Sequence, residues 1–107
     1  MAIEIQYRKV RRADLDAAGG SPKFVLVGQM TKGKEAISAF VVLAGDQWLL
    51  GMSSGPFLLN LKEELGKTIL PRDLGRLAHF AIPASVALDR VGAWIVERNP
   101  GFQIEIA

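Results

Sequence analysis

The sequence predicts an α+β domain: a mostly antiparallel sheet of about five strands, an N-terminal meander joined by a C-terminal strand, with about three helices packed on one face. Three observations carry this. Between residues 23 and 52, apolar runs of strand length are separated by short glycine-containing turns, too short for the crossover of about a dozen residues that parallel pairing needs. From Pro56 to about Arg98 the apolar spacing changes to three and four residues, the period of a helix buried on one side. From Phe102 to Ile106 the period of two returns.

Taken in order, Ile3, Ile5 and Tyr7 alternate with Glu4, Gln6 and Arg8, which predicts a half-exposed strand through about residue 10. The Ala-rich stretch 13–18 before Gly19-Gly20-Ser21-Pro22 reads as a loop with a short helix stopped by glycine. Residues 23–30, KFVLVGQM, are almost continuously apolar, as in a strand covered on both faces. The turn Thr31-Lys32-Gly33-Lys34 leads into a strand over 35–44, and Gly45-Asp46 turns the chain into 47–52. Phe57, Leu58, Leu61 and Leu65 then share a helical face between Pro56 and Gly66. A second helix is expected from Arg72 to about Phe80, opened by Pro71, with Leu74, Leu77, Ala78 and Ala81 inward. A third is expected from Pro83 to about Arg98, with Ala87, Val91, Trp94 and Ile95 as its stripe and Asn99-Pro100-Gly101 as its stop.

Half of the 107 residues are apolar and 22% are charged, enough hydrophobic surface for one core and one domain over 1–107. The sequence has no cysteine, which excludes disulfides, thiolate metal sites and cysteine nucleophiles and fits a reducing, cytoplasmic setting. The basic cluster follows the first apolar residues, the reverse of a signal peptide. The longest apolar run, residues 39–45, falls far short of the roughly 20 residues of a membrane span.

Two motifs suggest chemistry. Gly51-Met52-Ser53-Ser54-Gly55 matches G-x-S-x-G between a strand and a helix, and Asp73 and His79 follow in triad order. The hydrolase fold that uses this elbow needs a larger parallel sheet, and residues six apart on one helix point in different directions, so Ser53 reads instead as a helix cap. Gly66-Lys67-Thr68 resembles the end of a phosphate loop, but Leu61 stands where its first glycine belongs. With one histidine, no cysteine and only Asp14 and Asp16 of a calcium loop, no metal or other cofactor is expected.

The basic residues are the remaining candidates. Residues 1–35 carry seven Lys/Arg against four Asp/Glu, and Arg8, Lys9, Arg11, Arg12, Lys23, Lys32 and Lys34 form a candidate nucleic-acid surface. Arg72, Arg76 and His79 form a candidate anion-binding stripe on the second helix. Only Tyr7 adjoins the N-terminal basic group, whereas base-stacking proteins interleave several aromatics. The leading expectation is therefore a non-catalytic binding or regulatory module that pairs with another protein or with itself through amphipathic first and last strands at the sheet edges. A nucleic-acid-binding accessory protein is the alternative, and a small serine hydrolase built on Ser53 the third reading.

Overall fold

The computed structural model describes residues 2–54 and 66–106. Its strands are β1 (Arg8–Lys9), β2 (Phe24–Lys32), β3 (Glu35–Ala44), β4 (Gln47–Ser54), β5 (Ala78–Pro83) and β6 (Gln103–Ile106). Its helices are α1 (Arg12–Ala17), α2 (Pro71–Leu77) and α3 (Leu88–Arg98). The strands form one sheet in the order β1-β5-β4-β3-β2-β6, and every neighbouring pair is antiparallel. The α+β class is as expected, with six strands where about five were predicted. The helix expected over 57–65, with the Pro56 that opens it, lies outside the described residues.

The meander forms where the turn residues place it. Gly33 (φ +63°) and Gly45 (φ +61°) adopt the left-handed conformation that two-residue hairpins require. They set the registers Lys32↔Glu35 and Ala44↔Gln47. Along β3, Phe40, Val42 and Ala44 then face one apolar cluster while Ala39 and Val41 face another, so the nearly continuous apolar run is buried on both sides of the sheet. A register shift between Phe24 and Leu26 sends both Val25 and Leu26 to the second cluster before Val27 returns to the first.

This two-sided burial corrects the expectation of helices on one face. The chain crosses the sheet twice, and each crossing covers a different face. From β1 at one edge it passes through α1 to β2, laying Leu15 on the Phe24, Phe40 and Val42 side, where Leu74 and Leu77 of α2 also pack. From β5 it passes through α3 to β6 at the far edge, laying Val91, Trp94 and Ile95 on Leu26, Val41, Leu50 and Ile82. Fully burying such aliphatic side chains stabilises by roughly 1.5–3 kcal/mol each.

Three element boundaries also differ. Helix α2 ends at Leu77 because Ala78 is already extended (φ −74°, ψ 127°), and residues read as helix continue as β5, filling the slot between β4 and β1. Pro83 closes β5 opposite Gln47, and α3 starts only at Leu88, after a turn in which the Ala84 N–H donates to the Asp46 carbonyl at 2.8 Å. At the N-terminus only Arg8 and Lys9 pair as a strand. Ile3 and Ile5 do alternate inward, but they pack on the α3 side of the sheet as an extended segment. The Glu97 carboxylate accepts from the Ile3 N–H at 2.9 and 3.0 Å, and Arg90 Nη2 donates to the Glu4 carbonyl at 3.2 Å. Tyr7 ends this segment edge-on to Phe80 at 5.0 Å and 5.4 Å from Trp94, over whose ring the Arg98 guanidinium stands at 4.7 Å.

Candidate functional site

Strand registers decide where the candidate charges point. Arg8 pairs with Ala81, Ala81 with Leu49, Leu49 with Val42 and Val42 with Phe24, one row across five strands whose apolar members all belong to the α1 side. Arg8 therefore projects toward α1. Its guanidinium meets Asp14 as a two-toothed pair, Nη1 to Oδ2 at 2.6 Å and Nη2 to Oδ1 at 2.7 Å. Asp14, the third residue of α1, also accepts from the Arg11 N–H at 2.8 Å and so caps the helix. Hydrogen bonding from Arg8 holds the buried Asp14 carboxyl down at about 2, against desolvation, with the Arg11 N–H and the two guanidinium charges adding to the effect.

The other basic candidates are dispersed. Lys9 is exposed on β1, and Arg12 makes a long 3.4 Å contact with Asp16 one turn along α1. Lys23 bridges to Thr68 at the start of β2, four strand spacings or about 19 Å across the sheet from β1. Lys32 and Lys34 lie at the hairpin turn that ends the nine-residue β2, about 26 Å further along at roughly 3.3 Å per residue. The N-terminal group and the hairpin lysines are thus at opposite corners of the sheet.

The expected stripe of Arg72, Arg76 and His79 divides in the same way. Arg76 Nη2 donates to Asp73 at 3.1 Å on its own helix. His79 belongs to β5, where its carbonyl accepts from the Val10 N–H at 3.1 Å and its ring meets Phe80 edge-on. Arg72 instead lines a groove with Arg12, a pairing between α1 and α2 for which the sequence carries no signal.

Ser53 is a residue of β4 opposite Ser38, where a helix cap was expected, and Gly55 of the motif lies outside the described residues. The first glycine of the motif has a packing explanation. A Cβ on Gly51 would collide with the Phe40 ring and stand 2.7 Å from the Leu77 carbonyl oxygen. Asp73, the would-be triad acid, is engaged by Arg76. No cluster of three metal-ligating side chains occurs among the described residues, and no helix among them is long and apolar enough to cross a membrane.

What stands out is the pair of sheet edges. The first and last strands occupy them, and among the described residues β6 pairs with β2 alone. Ile104 lies against the α3 side, while Ile106 is 52% exposed. No protein-family model, curated protein or solved structure matches the chain.

Proposed function

We propose that the chain is a non-catalytic binding module that acts by self-association, extending its sheet through the outer edge of β6 into the same edge of a second copy. The observation that carries this reading is the four-residue β6 at the sheet edge, with an exposed isoleucine at its end and β2 as its one partner among the described residues.

The sequence of β6 complements itself. Antiparallel pairing about a two-fold axis at Ile104 sets Ile104 against its copy, Gln103 against Glu105 and Phe102 against Ile106. Carboxylates do not face one another, and the apolar residues fall on the α3 side in both copies. The net charge of +2 opposes such a pairing only weakly.

Sedimentation equilibrium tests it. The expected result is a monomer–dimer equilibrium that Ile106→Lys moves to monomer without loss of fold. Monomer throughout at about 100 µM, which limits association to roughly −5 kcal/mol, overturns the reading.

A further inference from the structure

The open groove between α1 and α2 lies on the sheet face opposite α3 and has a volume of about 580 Å³, within the range of about 300–1,000 Å³ of small-molecule sites. Arg12 lines it from α1 and Arg72 from α2, with Asp16 beside Arg12 and with Leu15, Leu74 and Gly75 as its apolar side. We propose that this groove binds a small organic anion, a carboxylate or phosphate group carried on an apolar body. It is a site separate from the β6 edge.

The argument rests on which arginines are already spent. Arg8 is held by Asp14 through two short hydrogen bonds, and Arg76 by Asp73. Arg72 has no partner among the described contacts. Arg12 has only Asp16 at 3.4 Å, and those side chains are 87% and 69% exposed, so the pair adds almost nothing and gives way readily to a better acceptor. Two guanidinium groups against one carboxylate leave the groove electropositive, and their planar forks match the oxygens of a carboxylate or phosphate.

The apolar half is supplied by Leu15 and by the absence of a side chain at Gly75. A glycine inside a seven-residue helix weakens it relative to alanine. A Cβ there would stand 3.7 Å from Leu15 Cδ1, an ordinary contact, so alanine fits at position 75, and a longer side chain would project between the helices and fill the groove. Glycine keeps the space between the helices open for the body of the ligand.

The test titrates phenyl phosphate and benzoate into ¹⁵N-labelled protein at low salt, with benzyl alcohol as the uncharged control, and follows backbone amide shifts. Saturable shifts confined to residues 12–20 and 70–76 with either anion, and none with the alcohol, are expected. Which anion binds more tightly identifies the headgroup. Arg12→Gln and Arg72→Gln should each weaken binding about tenfold, the loss of one charge-assisted contact. Gly75→Leu should abolish it while leaving the remaining spectrum unchanged. The proposal is overturned by shifts that do not saturate by about 10 mM, where the affinity is under roughly 3 kcal/mol. Binding indifferent to Arg72→Gln, or equal binding of the alcohol, overturns it as well.

Discussion

The two edges of the sheet end the same row of residues in opposite ways. Lys9 pairs with Phe80, Phe80 with Leu50, Leu50 with Val41, Val41 with Leu26 and Leu26 with Ile106, a continuous line on the α3 side from β1 to β6. At one end stands an exposed lysine on a strand of two residues, beside the Arg8–Asp14 pair. At the other end stands a half-exposed isoleucine on a strand of four. A short, charged edge is how a sheet is protected from further pairing. By that criterion β1 is closed and β6 is open, although both strands read as amphipathic in the sequence.

The largest effect is expected beneath the closed edge. Trp94 is 4% exposed, supports Tyr7 and Phe80, and belongs to the buried stripe of α3. Trp94→Ala should cost about 3–5 kcal/mol, enough to unfold a marginal domain, whereas Trp94→Phe keeps most of the packing and should cost less. Urea denaturation followed by circular dichroism measures both. An unchanged midpoint for the alanine variant would show that the β1 side does not rest on this ring.

Asp14 comes next. Replacing it with alanine removes the helix cap and leaves Arg8 unpaired, an expected loss of about 1–3 kcal/mol. The Asp14 carboxyl titrates at about 2 in the folded chain against an ordinary 3.8, so its folded-state value is depressed. Its contribution is therefore full above the ordinary value and is lost as pH falls from there through about 2. The gap in denaturation midpoint between the parent and Asp14→Asn should be widest near neutrality and close in that acid window. A gap independent of pH would mean that Arg8 does not hold this carboxylate, and the closed edge would lose its anchor.

Much of this architecture is legible in the sequence, because local chemistry carries it. Gly33 and Gly45 announce both hairpins, and the unbroken apolar runs of β2 and β3 announce burial on two faces. That second signal already conflicts with helices on a single face. The missed strand β5 has a clear physical reason. Leu74, Leu77, Ala78 and Ala81 keep helical spacing and no turn residue separates Leu77 from Ala78, so only the vacant slot beside β4 makes the segment a strand. The candidate site was less legible than the fold. Arg8 reads as a polyanion contact until the row through Ala81 and Leu49 aims it at Asp14. Arg12 and Arg72 meet only because α1 and α2 cover the same face, a long-range fact that no local pattern encodes.

The smallest effect on stability is expected from exchanging the ends of the shared row, and it is the sharpest test of the comparison. Ile106 and Lys9 are both solvent-facing, so Ile106→Lys and Lys9→Ile should each change stability by no more than about 0.5 kcal/mol. Their effects on association should differ. A lysine at position 106 puts a charge at the end of β6, where antiparallel self-pairing brings Phe102 of the second copy, and burying it there without a partner is unfavourable. The dimer should therefore weaken by at least tenfold. An isoleucine at position 9 removes the charge from β1 but leaves a strand of two residues, with the Arg8–Asp14 pair still in place, so no new association should appear. Sedimentation of the two single variants and the double variant separates the contributions of charge and length. If Lys9→Ile alone produces oligomers, charge is what closes the β1 edge; if it does not, strand length and the anchoring of Arg8 suffice.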